Sequence, residues 1–247
     1  MSYIPPPRTT DHSAFDRLFA EGRSALSDGT HRRQRPPVDG SPRWGISALL
    51  RPDPASAAAL DLITHQATAA GGGGTHWTSG AATRSHLTLR SLEPFRATVP
   101  TGDPQVARYA AALRTAVFGI GAIRFTVTGL TLTRHSVMAC AVPTDTAADD
   151  LAAAYAEALG ADGWHEGEFK RDFWYLNLVH FAEPVRTPDA LISHVDARRT
   201  AELADILVTD VQITQWRHSS IGMIPVVHDS VAPARPREPT PPGAATA

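Results

Sequence analysis

The order in which helix and strand patterns follow one another is the feature that most constrains the fold. Most strands are separated by a helix, but in two places one strand follows another after a short turn. A parallel pair needs a crossover of a dozen or more residues, so strands that follow so closely run antiparallel. The sequence therefore predicts an α+β fold with mostly antiparallel sheets and flanking helices, rather than a doubly wound sheet. The predicted strands are 44–52, 85–92, 122–132, 135–142, 172–181, 205–216 and 221–231, and the predicted helices are 54–69, 103–120, 145–160 and 187–203.

Composition divides the 247 residues into one domain and two less regular ends. Residues 1–42 are predicted to be an N-terminal extension that is partly flexible, since 22–42 are polar and rich in Arg and Pro. Residues 43–231 carry the helix and strand patterns and are predicted to form the domain. Residues 232–247 are rich in Pro and Ala and are predicted to be disordered.

Charge and residue usage exclude several classes of protein. The formal net charge is −2, so no overall basic field attracts long nucleic acid, although a local basic cleft remains open. Cys140 is the single cysteine, which excludes a disulfide framework and a cysteine metal cluster. Lys170 is the single lysine, and its context "EFKRDFW" disfavours P-loop ATPases, kinases and ATP-dependent ligases. No apolar run approaches a membrane span, so a cytoplasmic protein is expected.

The stretch "RSHLTLRSLEPFR", residues 84–96, carries the chemistry candidates. On a regular strand, alternate residues share a face, so Arg84, His86, Thr88 and Arg90 point the same way. An imidazole can act as general acid or base near neutral pH, a hydroxyl can donate to a phosphate oxygen, and arginines add positive charge. The pattern predicts a phosphate-handling face, and its structural alternative is a polar strand face without function.

The residues of this strand resemble a known family motif. "RSHLTLR" is similar to the first H-x-T motif of the 2H phosphoesterase superfamily, which contains 2',5' RNA ligase-like proteins and cyclic nucleotide phosphodiesterases. "FWYLNLVHF" takes the place of the second motif, W-x-x-H-x-T, and "LVTDVQITQWRHSSIGMIPV" resembles the closing strands. The resemblance covers roughly residues 43–230.

The resemblance implies a fold, a mechanism and a ligand. The fold has two lobes around a central cleft, and two histidines act as acid and base without a metal or cofactor. The ligand is a small phosphorylated molecule or an RNA end carrying a 2',3'-cyclic phosphate. The resemblance implies His86 and Thr88 as catalytic residues and Trp174 and Asn177 as binding residues. The alternation of the strand adds Arg84 and Arg90 as binding residues.

The second motif departs from the family pattern. Aligned on Trp174, the second histidine is replaced by Asn177 and the second hydroxyl by Val179. Asparagine does not transfer a proton at neutral pH. His180 is three residues further on, an odd offset that turns it away from Asn177 on a regular strand unless a bulge re-aims it. Either half of the acid–base pair is missing, or His180, His218 or His76 supplies it.

Three functions therefore stay open on the sequence alone. The first is a phosphodiesterase acting on a 2',3'-cyclic phosphate RNA end or a small cyclic nucleotide. The second is a binding protein on the same fold that recognises a phosphorylated ligand without turning it over. The third is an interaction domain unrelated to phosphate, because fold likeness alone does not establish an activity.

Overall fold

A computed structural model describes residue 8 and residues 10–169, 171–220 and 222–233. Lys170 and most of the predicted tail, from residue 234 onward, lie outside the described residues. The helices are α1 Ser13–Ser27, α2 Pro54–Ala70, α3 Pro104–Val117, α4 Ala147–Leu159 and α5 Pro188–Asp196, with a 3-10 helix at Gly160–Glu168. The strands are β1 Ser47–Pro52, β2 Trp77–Thr78, β3 Leu87–Ser91, β4 Arg124–Leu132, β5 Ser136–Pro143, β6 Trp174–His180, β7 Ala204–Ser219 and β8 Gly222–Val231.

The α+β prediction is confirmed, and every predicted helix and strand has a counterpart in the structure. Helices α2 and α3 begin where the sequence places them because Asp53 and Asp103 cap their first turns. The side chain of Asp53 accepts from the amides of Ala55 and Ser56, and Asp103 caps α3 in the same way. Helix α1, the 3-10 helix and the two-residue strand β2 were not predicted.

The strands form an antiparallel sheet in two halves that share β7. The strand order is β2-β6-β5-β4-β7-β1-β3, and β8 pairs with β7 off this path. Residues 204–207 of β7 pair with β4, whereas residues 208–214 pair with β1 and residues 211–219 with β8. The long strand β7 therefore carries the chain from one half of the sheet into the other.

The predicted N-terminal extension contributes to the core of the domain. The ring of Phe19 and the side chain of Leu26, both from α1, are buried in the main hydrophobic cluster. The hydroxyl of Thr131 on β4 donates to the carbonyl of Phe15 at 2.8 Å. The domain thus begins before residue 43, because α1 covers apolar strand surface that would otherwise face water. No helix among the described residues combines the length and apolar character that a membrane span requires.

A close backbone approach in β4 predicts a sensitive glycine. Gly129 has φ 153°, and a Cβ at this position would overlap the carbonyl of Arg199. Gly129→Ala should therefore lower the free energy of unfolding by about 2–4 kcal/mol, measured by urea denaturation. Gly102 is the control, because it has φ 74° and open space around it; Gly102→Ala should cost about 1 kcal/mol. Equal losses in the two variants would contradict the steric explanation.

Candidate functional site

A cavity of about 110 Å³ opens where β3 and β6 approach each other, between the two halves of the sheet. It is far smaller than the roughly 300–1,000 Å³ of sites that enclose a whole drug-sized ligand. Its walls combine titratable, hydroxyl, amide and aromatic side chains. The lining residues are Pro42, Arg43, Trp44, Gly45, Ser47, His86, Thr88, Ser91, Glu93, Phe169, Arg171, Tyr175, Asn177, His180 and Trp216.

Thr88 on β3 and His86, directly before this strand, line the cavity, whereas Arg90 on β3 is turned away from it. The pairing with β1 shifts register after Thr88, so that Leu89 is an extra, bulged residue. Leu89 and Arg90 consequently both lie on the core side, and Ser91 returns to the cavity. Arg90 is buried and donates to the carbonyl of Gly163 at 2.8 Å. The prediction that Arg90 lies on the same face as His86 was therefore wrong.

Strand β6 contains a matching irregularity. Its pairing with β5 shifts register between Asn177 and Val179, which makes Leu178 the extra residue. Leu178 and Val179 both lie in the core, and Asn177 and His180 both line the cavity. The expectation that His180 faces away from Asn177 was therefore wrong, because the bulge reverses the alternation of side chains.

The remaining sequence candidates lie outside the cavity. Arg84 lines a narrow crevice beside Trp77 and Met223. Trp174 is fully buried, donates through Nε1 to Asp149 at 3.0 Å and lies 3.5 Å under the guanidinium of Arg8.

The two other histidines considered as replacements also lie elsewhere. His76 is buried against the ring of Phe181, and His218 is exposed beside Trp77. Of the three alternatives, His180 is the one that the fold brings to His86.

His86 is held in one tautomer by the backbone. Its Nδ1 lies 2.7 Å from the carbonyl of Arg84, so Nδ1 carries the proton and Nε2 keeps its lone pair. The ring of Trp216 packs 5.0 Å from the imidazole. Burial lowers the pKa of His86 to about 4, opposed by the bond to Arg84 and assisted by the charges of Arg51 and Arg171. His86 is therefore neutral at neutral pH and can accept a proton at Nε2.

His180 lies in a similar apolar setting. It is 3% exposed, and the indole of Trp44 packs edge-on at 4.7 Å. Burial lowers the pKa of His180 well below its ordinary value, and the charges of Arg43, His86 and His135 act in the same direction. Its Nδ1 is buried without a hydrogen-bond partner among the described residues. The imidazole of His86 contributes to the lowered pKa of His180, which places the two histidines in one electrostatic environment.

A buried arginine forms part of the cavity wall. Arg171 Nε lies 2.7 Å from Glu166, its Nη2 donates to the hydroxyl of Ser91 at 2.7 Å, and its Nη1 donates to Tyr175 at 3.2 Å. Burial opposes the charge of Arg171, but Tyr175 and Glu166 outweigh it and raise the pKa of the guanidinium. Glu166 also accepts from the amide of Ser91 at 2.6 Å, so the network holds the guanidinium against β3.

Sequence reasoning missed Trp44, Trp216 and Arg171. Trp216 and Arg171 come from segments far from β3 in the chain, and their place at the cavity follows from tertiary packing. Trp44 has φ 68°, the one positive value among described non-glycine residues, and such a conformation at a cavity wall often marks a functional site. The two indoles pack against each other with ring centres 5.7 Å apart and cover both histidines. No group of three or more His, Cys, Asp or Glu side chains in the described part of the chain is arranged to hold a metal ion.

The fold and the cavity together define an α+β protein with two histidines facing one small cleft. No family model matches the sequence, and no curated protein matches it significantly. The structure is similar to that of TT0787 from Thermus thermophilus, with a TM-score of 0.52 and 14% sequence identity. The match covers 76% of this chain and 97% of the Thermus chain. A likeness at this identity shows a shared fold.

The depressed pKa of His86 predicts a loss of stability in mild acid. In the unfolded state His86 takes up a proton below about pH 6.5, whereas in the folded state it stays neutral down to about pH 4. The free energy of unfolding therefore decreases as the pH falls between these two values. The full effect for His86 is about 3 kcal/mol. His86→Gln should flatten the dependence of unfolding free energy on pH, measured by urea denaturation from pH 8 to pH 4.

The control for this measurement is an exposed histidine on α2. The side chain of His65 is 77% exposed, so His65→Gln should keep the acid sensitivity of the wild type. A pH dependence as steep in His86→Gln as in the wild type would contradict the low pKa of His86.

Proposed function

We propose that this protein is a 2H-type phosphodiesterase that opens a 2',3'-cyclic phosphate, at an RNA end or in a small cyclic nucleotide, by metal-independent acid–base catalysis. The observation that carries the proposal is the presence of His86 and His180 in one cavity, His86 directly before β3 and His180 on the bulged strand β6. The H-x-T pattern of His86 and Thr88 supports the family, and the fold is compatible with it. In this proposal His180 takes the second catalytic role that the sequence alignment gave to Asn177.

His86 is suited to act as the general base. Its Nδ1–H is fixed on the carbonyl of Arg84, so Nε2 can take a proton from the attacking water. The water oxygen forms a new bond to phosphorus, and the bond from phosphorus to one ribose oxygen breaks. His180 gives a proton to that leaving oxygen, and exchange with solvent restores both imidazoles.

Protonation of one histidine requires the ligand. Burial keeps both imidazoles neutral in the empty cavity. A phosphate anion beside them stabilises the imidazolium and raises its pKa, so that one histidine enters the reaction protonated. The anion thus supplies the charge that makes the second histidine an acid.

Three polar groups are placed to hold the phosphate oxygens. The hydroxyl of Thr88 and the amide of Asn177 line the cavity from β3 and β6. Arg171 adds a guanidinium whose orientation is fixed by Glu166 and Ser91. Fixed donors of this kind stabilise the extra negative charge of the transition state without reorganising during the reaction.

One departure keeps a binding protein as the second candidate. If His180 is the second histidine, the position two residues later is Ala182, where the family pattern has a hydroxyl. A cavity lacking this donor is expected to stabilise a phosphorane-like transition state less well than a phosphate ground state. The protein would then hold a phosphorylated ligand and release it unchanged.

Hydrolysis of a 2',3'-cyclic mononucleotide separates these candidates. His86→Gln and His180→Gln should each lower kcat by about 10²–10⁴-fold, since each removes one proton transfer. Asn177→Ala should lower kcat/KM by only about tenfold, the equivalent of one hydrogen bond to a charged group. Turnover is measured by chromatography of the opened product, and addition of EDTA should leave it unchanged.

A control variant and two further outcomes show which part of the proposal is wrong if the expected result is not obtained. His218→Gln alters an exposed histidine outside the cavity and should keep the wild-type rate. Binding without turnover in the wild type would favour the binding protein. Full activity in His180→Gln would show that His180 is not the proton donor.

Anion binding by itself should depend on pH. Sulfate keeps its charge between pH 5 and pH 8, so a change in its affinity over this range reports protonation of the protein. Because a bound anion raises the pKa of His86 and His180, sulfate should bind more tightly as pH falls, by up to about tenfold per pH unit for each proton taken up. Calorimetric titration of the wild type and of the double variant His86→Gln/His180→Gln tests this, and a pH-independent affinity in the wild type would contradict it.

A further inference from the structure

Five exposed arginines lie on segments that meet near the cavity, beside the end of β6 that holds His180. Arg32, Arg33 and Arg35 precede β1, Arg43 lies on the cavity wall, and Arg134 occupies the turn between β4 and β5. None of these five, termed here the arginine track, forms a salt bridge with another residue that the structure describes. Their charge is therefore available to a ligand.

Backbone hydrogen bonds hold residues 32–34 and the turn of Arg134 next to the end of β6 that holds His180. The amide of Arg32 donates to the carbonyl of Arg134 at 2.7 Å, and the amide of Gln34 donates to the carbonyl of Phe181 at 2.6 Å. Phe181 directly follows His180, and its own amide donates to the carbonyl of His135 at 2.8 Å. The segment that carries the track is thus attached to the end of β6 that brings His180 into the cavity.

Electrostatic effects on a neighbouring histidine support the grouping of Arg32, Arg43 and Arg134. Burial lowers the pKa of His135, and the charges of Arg43, Arg32 and Arg134 add to the effect. The whole chain has a formal net charge of −2, so the track is a local concentration of positive charge. Such a concentration attracts a polyanion without an overall basic field.

We propose that the arginine track binds the phosphate backbone of a single-stranded RNA whose 3' end enters the cavity. The inference rests on the proposed function and names its substrate as an oligoribonucleotide rather than a mononucleotide. A cavity of about 110 Å³ takes the terminal phosphate, and the rest of the ligand lies outside it. The surface that continues from Arg43 is the track, where backbone phosphates find guanidinium partners. RNA is specified over DNA because a 2',3'-cyclic phosphate requires a 2' oxygen.

The test compares two substrates in two double variants. The substrates are a 2',3'-cyclic mononucleotide and a short oligoribonucleotide that ends in the same cyclic phosphate. Arg32→Gln/Arg134→Gln removes two charges of the track, and Arg114→Gln/Arg124→Gln removes two exposed charges elsewhere. Arg114 pairs with Asp229, and Arg124 lies at the end of β4 opposite the turn that holds Arg134.

We expect kcat/KM to fall in the track variant alone, and only for the oligoribonucleotide. At low salt the wild type should prefer the oligoribonucleotide in kcat/KM by about tenfold or more, and the track variant should lose most of this preference. The slope of log kcat/KM against log salt should become less negative by about 1.4 in the track variant, since each phosphate contact on a single strand contributes about 0.7. The mononucleotide rate and the control variant should stay at wild-type values.

Other results separate the two proposals. Turnover of the mononucleotide without any preference for the oligoribonucleotide, or equal losses in both variants, would overturn the track and leave the proposed function standing. If neither substrate is turned over, the proposed function fails, and fluorescence anisotropy with a 3'-phosphorylated oligoribonucleotide still decides the track. Weaker binding in the track variant alone supports it, and unchanged binding overturns it. If the oligodeoxyribonucleotide of the same sequence binds as tightly as the oligoribonucleotide, the track binds any single-stranded polyanion. That result would overturn the choice of RNA as the ligand.

Discussion

The paired bulges in β3 and β6 are the constraint on which the site depends. In each strand two consecutive residues, Leu89 with Arg90 and Leu178 with Val179, are kept on the core side. Burying an aliphatic side chain stabilises the fold by about 1.5–3 kcal/mol. Burial of Leu89, Leu178 and Val179 therefore keeps each strand in the orientation that the bulge produces. Without the bulge in β6, His180 would occupy the core face and Val179 the cavity. The apolar residues therefore determine where the polar ones point.

Trp44 and Trp216 cover the two histidines and shield them from water, which lowers the pKa of each imidazole. Trp44 packs on His180, Trp216 packs on His86, and the two indoles contact each other. In such surroundings a charged imidazole is costly, which is why the pKa of each histidine is lowered. The same exclusion of water strengthens the attraction between an imidazolium and a phosphate anion. The cavity thus disfavours a lone charge, and the phosphate anion proposed as its ligand would form a matched pair of charges with an imidazolium.

The limits of sequence reasoning follow from the same two bulges. Helix and strand positions could be predicted because each depends on local periodicity and on caps such as Asp103. Side-chain direction could not be extended past Leu89 or Leu178, because a bulge changes the alternation. The adjacent apolar pair Leu178 and Val179 fits a strand buried on both faces as well as it fits a bulge. One cause therefore explains why Arg90 was placed in the site and His180 was placed outside it. Arg171 could not be predicted as a site residue for a different reason, because tertiary packing brings its partners Ser91 and Glu166 to it.

The segment before β1 joins the two bulged strands into one site. Arg8 donates to the carbonyls of Thr88 and Leu89 at 3.3 and 3.0 Å, at the position where the bulge interrupts pairing between β3 and β1. Its guanidinium also lies over the ring of Trp174 on β6. Burial lowers the pKa of Arg8 to about 10, assisted by the charge of Arg171 and opposed by that of Glu166, so the group remains charged at neutral pH. A charged donor strengthens its bonds to these two carbonyls at the bulge. Residues predicted to be an extension therefore support the backs of both strands that present the histidines.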